Sequence, residues 1–63
     1  MFTPKWYNIE LKLLSAEVLK EYLRNNGIRF ESSGCFDLIH FEIFVTSQQI
    51  FDSIERFLIF LPD

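Results

Sequence analysis

Residues 36–45 read Phe-Asp-Leu-Ile-His-Phe-Glu-Ile-Phe-Val. Side chains alternate across a strand, so Ile39, Phe41, Ile43 and Val45 fall on one face and Leu38, His40, Glu42 and Phe44 on the other. Most of these residues are β-branched or aromatic, types that suit a pleated surface. No Gly or Pro interrupts the stretch, and its spacing gives no single helical stripe. It predicts the central strand of a small sheet. One face is wholly apolar and belongs to the core. The other mixes apolar with polar side chains, and function is to be sought there.

The neighbouring segments follow from this strand. Residues 6–14 alternate Tyr7, Ile9, Leu11 and Leu13 against Trp6, Asn8, Glu10 and Lys12, which predicts a first strand. Ser15 is a candidate N-cap, with Glu17 in the first turn. Residues 16–26 then carry the apolar stripe Val18, Leu19, Tyr22 and Leu23. Gly27 fits the left-handed position that closes a helix. Residues 28–31 predict a short second strand, with Ile28 and Phe30 inward and Arg29 and Glu31 outward. Ser32-Ser33-Gly34-Cys35 has turn composition. After the central strand, Thr46 with Gln49 fits a capping box. The second helix spans residues 47–60, with Ile50, Ile54, Phe57 and Leu58 inward. Phe51, Phe60 and Leu61 widen its apolar surface, and Pro62 ends it.

The order is β-α-β-β-α in one small α+β domain, residues 1–63. A right-handed crossover makes the first two strands parallel, and the hairpin makes the last two antiparallel. The most apolar strand belongs in the middle, which predicts the order first, third, second, with both helices on one face. This arrangement resembles a truncated ferredoxin-like layout, a superfold topology that carries no function of its own.

Composition narrows the function classes. A chain of 63 residues buries only ~60% of its unfolded surface, and small domains add disulfides, a metal or self-association. One Cys and one His give neither a disulfide nor a metal site of ordinary ligand count. Eight Phe and 49% hydrophobic residues supply more apolar surface than a small monomer easily hides, so self-association is expected. Six basic against nine acidic residues, net −3, disfavour a phosphate-binding surface. The start lacks the pattern of a signal peptide. The longest apolar run, residues 57–61, is too short to span a bilayer and lacks the basic polar face of a membrane-surface helix. With a free thiol, these features predict a cytoplasmic protein that does not bind membranes.

Few residues could carry chemistry. His40, oriented by Glu10 or Glu42, would be an acid or base, but no nucleophile sits at a matching position, and a surface or interface histidine is the simpler reading. Cys35 has only Asp37 beside it, the wrong sign to activate a thiol. Ser32, Ser33 and Gly34 lack a phosphate-loop context. Glu10, Glu31, Asp37 and Glu42 share a region with Lys12 and Arg29, which favours cross-strand ion pairs over a cation site. No enzyme and no cofactor is expected. The sequence therefore predicts a protein-interaction module, a homodimeric regulator or inhibitor of a larger protein. Its partner-binding residues are Trp6, Leu38, His40, Glu42 and Phe44 on the sheet, with Phe51 and Phe60 on the last helix. The alternative is a single-stranded nucleic-acid binder that stacks bases on Trp6 and Phe44 of the open sheet face, with Arg29 and His40 beside them.

Overall fold

The structure, a computed structural model, describes residues 1–35 and 37–61. The expectations for Phe36 and Pro62, and for the thiol of Cys35, lie outside what is described. The elements are β1 (Lys5–Lys12), α1 (Leu13–Asn25), β2 (Phe30–Cys35), β3 (Leu38–Val45) and α2 (Gln48–Phe60). They form an α+β arrangement with a three-stranded sheet in the order β1-β3-β2. Both outer strands run antiparallel to β3, so β1 and β2 are parallel to each other.

The register fixes the two faces. Tyr7, Ile9 and Leu11 lie opposite Ile43, Phe41 and Ile39. Directly opposite residues share a face, so these are the inner face, with Phe30 opposite Ile43 from the other side. Phe41, Ile43 and Val45 are fully buried against Ala16, Leu19 and Leu23 of α1 and Ile54 of α2. Ile50, Phe57, Leu58 and Leu61 pack partly buried around them. The two helices also bind each other. The rings of Tyr22 and Phe57 stack at 4.1 Å and 15°, and the hydroxyls of Tyr22 and Ser53 are hydrogen bonded.

Several boundaries differ from the sequence expectation, each for a physical reason. β1 stops at Lys12 because its partner Leu38 is the first residue of β3. Leu13, which continues the alternation, and Leu14 after it have no strand left to pair with and enter the helix. α1 therefore begins two residues before Ser15, with Lys12 at the N-cap and no side-chain cap. Ser15 is buried in the first turn instead of capping it. No acidic residue falls in that turn. The inward face also differs from the expected stripe: Ala16, Leu19 and Leu23 are buried, while Val18 is 45% exposed, because Ala16, Leu19 and Leu23 share one face at i, i+3 and i+7.

The end of α1 matches expectation. Gly27 has φ 65°. Its N–H reaches the Arg24 carbonyl at 3.1 Å, and the Ile28 N–H reaches that of Leu23 at 2.9 Å. These two bonds are a Schellman closure, which needs a left-handed residue at the Gly27 position. Ile28 is consumed in the closure, so β2 begins at Phe30. Ser32, Ser33 and Gly34 are strand, not turn, and the chain reverses only after Cys35, the register partner of Leu38. Gly34 is required here by close approach. A Cβ on it would collide with the Leu38 carbonyl oxygen and lie 2.9 Å from Ile39 Cα. At α2 the cap is Ser47, whose hydroxyl accepts from the Ile50 N–H at 3.2 Å. Gln49 is thus one position short of the reciprocal box site. Gln48 instead donates to Asp52 one turn on, at 2.9 Å.

Candidate protein-interaction surface

The outer face of the sheet carries the even-numbered residues of β1 and β3. Trp6 pairs with Phe44, Asn8 with Glu42, Glu10 with His40 and Lys12 with Leu38. Glu31 and Ser33 of β2 complete the rows of Glu42 and His40. No helix covers these side chains. Every expected sheet-site residue is therefore on this face, but the face is not one apolar patch.

At one end the rings of Trp6 and Phe44 lie 5.0 Å apart, tilted by 52°. Such a pair contributes about 0.5–1.5 kcal/mol beyond its buried area. Phe44 is half-buried under it, while Trp6 stays 43% exposed. At the other end Leu38 is 50% exposed. Leu38 and Phe44 are six positions apart along the strand, roughly 20 Å at strand rise. The centre is polar. His40 Nε2–H donates to Asn8 Oδ1 at 3.1 Å, and His40 Nδ1 lies 3.9 Å from Glu10 Oε2. The neutral ring so placed turns a lone pair toward that carboxylate. Only the imidazolium would carry a proton there. The cluster fixes the imidazole by its bond to Asn8. The expectation that no nucleophile matches His40 is corrected by the register, which sets Ser33 of β2 directly opposite it, because residues 32–34 are strand and not turn.

Arg29 lies before β2, and its carbonyl accepts from the Phe44 N–H at 2.9 Å. Among the described residues Glu17 and Lys20 form an ion pair at 3.5 Å, and the Glu10–His40 contact is one only when the imidazole carries a proton on both nitrogens. Neither Lys12 nor Arg29 joins one, so the expected cross-strand pairs of these cations do not form. No group of His, Cys, Asp and Glu among the described residues could hold a metal ion. No helix there is long and apolar enough to cross a membrane.

The two helix residues of the expected surface part company. Phe51 is half-buried. Tyr7 meets it edge-on at 5.2 Å, Phe2 lies 6.5 Å away, and Lys5 Nζ sits 4.9 Å over its ring. It staples the N-terminal segment to α2. Phe60 is 84% exposed and lines a groove of about 570 Å³ with Tyr22, Gln49, Asp52, Arg56 and Phe57. The Tyr22–Phe57 stack forms part of that wall. Sequence reading missed one long-range link. Tyr7 donates its hydroxyl to Glu55 Oε2 at 2.8 Å, and burial first, then the Glu55 hydrogen bond, raises its pKa above the ordinary tyrosine value. The two residues lie on different elements, and neither has a local signal for the other.

No protein-family model matches this chain, and no curated protein or solved structure matches it.

Proposed function

We propose that this chain is a small, non-enzymatic protein-interaction module: a cytoplasmic, homodimeric regulator or inhibitor of a larger protein, built on a ferredoxin-like layout without its last strand. The observation that carries this reading is the Trp6–Phe44 pair on a sheet face that no helix covers. Aromatic side chains half-desolvated by one another and open on one side are the usual anchors of protein interfaces. Leu38, His40 and Glu42 extend the surface along β3, and Phe60 offers a second apolar contact. A standard interface takes about 800 Å² from each partner, roughly a sixth of the 4615 Å² surface of this chain. Glu10, Glu31 and Glu42 on the outer sheet face repel phosphate, which ranks the nucleic-acid reading second. A single cysteine suits a reducing compartment.

The test is differential capture. The intact protein and a Trp6→Ser/Phe44→Ser double variant are immobilised, and retained proteins are compared after circular dichroism has shown both to be folded. A protein held by the first and lost from the second is the expected result. Equal retention by both would remove the outer face as the binding surface. Quenching of Trp6 fluorescence by an oligonucleotide at low salt would favour the nucleic-acid alternative.

A further inference from the structure

β1 is an edge strand, paired on one side only. Which of its backbone groups are free follows from one hydrogen bond. The Phe44 N–H points toward β2, where it donates to Arg29. Alternate residues of an antiparallel strand turn their N–H and C=O to opposite sides. Ile39, Phe41 and Ile43 therefore face β1, and their partners Tyr7, Ile9 and Leu11 face β3. Trp6, Asn8 and Glu10 are left with backbone groups directed away from the sheet. Unlike a protected edge, this one has no proline or bulge within it. Its inner-face residues Tyr7, Ile9 and Leu11 are only half-buried, although their opposite numbers Ile43 and Phe41 are wholly buried.

We infer that β1 pairs antiparallel with β1 of a second copy about a two-fold axis at Ile9, making one continuous six-stranded sheet. The inference rests on the reading of the chain as self-associating and assigns the surface that does it. The axis is chosen by complementarity. With Ile9 on it, Ile9 meets its own copy, Tyr7 meets Leu11, Asn8 meets Glu10 and Trp6 meets Lys12. Apolar faces apolar on the inner side. On the outer side an amide faces a carboxylate and an indole faces an ammonium, a favourable cation–π arrangement. An axis at Asn8 opposes Lys12 to Pro4, which has no N–H, and sets Lys5 against Leu11. An axis at Glu10 opposes two carboxylates. The β2 edge is a poorer competitor, because Ser32, Ser33 and Gly34 give it little to bury.

A second element agrees. Glu55 and Phe51 of α2 both reach Tyr7, so α2 lies above β1. Ile59, one turn beyond Glu55, is on the same flank and 79% exposed. The two-fold axis sets α2 beside α2 of the second copy and covers Ile59.

The test uses the full chain. Sedimentation equilibrium at high micromolar concentration should give twice the chain mass. Asn8→Glu opposes two carboxylates across the axis and should give a folded monomer. The Asn8→Glu/Glu10→Lys double variant restores opposite charges and should recover the dimer. In a Cys35→Ser background, Ile9→Cys places two thiols on the axis, where opposing Cα atoms in a non-hydrogen-bonded pair are about 4.5 Å apart. It should form an intermolecular disulfide, whereas Leu11→Cys should not. A wild-type protein that is monomeric, with no cross-link through Ile9→Cys, overturns self-association itself. A wild-type dimer that survives Asn8→Glu, and in which Ile9→Cys cross-links no better than Leu11→Cys, overturns the β1 edge and leaves self-association standing. If Asn8→Glu does not fold, the cross-linking pair decides alone.

Discussion

The two faces of β3 start from similar material and end in different states. Its inner side carries Ile39, Phe41, Ile43 and Val45, and its outer side carries Leu38, His40, Glu42 and Phe44. Three of the inner residues are wholly buried, while Leu38 remains half exposed and Phe44 is shielded chiefly by Trp6. The difference lies in what arrives from elsewhere in the chain. Ala16, Leu19 and Leu23 close over the inner face together with Ile54. Nothing but cross-strand neighbours meets the outer one. Apolar composition therefore marks where burial can occur, and the covering elements decide where it does.

This contrast can be broken most severely at Phe41. Phe41→Ala removes a fully buried ring and should cost about 3–5 kcal/mol, enough to leave so small a fold largely unfolded. Phe44→Ala, three residues along the same strand, should cost less than half as much in the same urea titration. Equal losses would mean that the outer face is as structural as the inner one. Gly34→Ala tests the backbone between the faces. The added methyl meets the Leu38 carbonyl and Ile39 Cα, which cannot retreat like a flexible side chain, so a loss of about 1–3 kcal/mol is expected. A neutral outcome in thermal unfolding would refute the close approach.

Tyr7→Phe is the smallest perturbation. Its bond to Glu55 lies at the solvent edge of the core, so the loss at neutral pH should be about 0.5–1 kcal/mol. The folded-state pKa of Tyr7 is raised. Its stabilisation is fully present below the unfolded value of about 10 and is lost as pH rises through the higher folded value. Wild-type stability should therefore fall more steeply than that of Tyr7→Phe in alkaline titrations followed by circular dichroism. Parallel curves would show that the hydroxyl is not coupled to folding.

Much of this was legible in the sequence, because it is local. Period-two alternation fixed the faces of β1 and β3, and the Gly27 closure is written in Asn25-Asn26-Gly27. The strand order followed from placing the most apolar strand in the middle. What was not legible depends on distant residues. Leu13 continues the alternation of β1, yet the strand ends where β3 begins. Gly34 looks like turn punctuation, yet its reason is a carbonyl on the next strand. Ser15 looks like a cap, but the early helix start buries it. Of the candidate surface, the face of each side chain could be read. The spread of its apolar residues along the strand, and the engagement of Phe51 by Tyr7, could not, because both depend on register and helix placement.

The strand order has a consequence for how the chain is made. β2 and β3 are sequence neighbours and can close as a hairpin, but α1 and β2 stand between β1 and its only partner. A polypeptide emerging N-terminus first carries β1 unpaired until β3 has been synthesised, and the inner face waits longer still for α2. During that interval the nascent chain displays an alternating apolar strand with both edges unsatisfied. Until β3 arrives, the same alternating strand on a neighbouring nascent chain is the nearest equivalent partner in sequence.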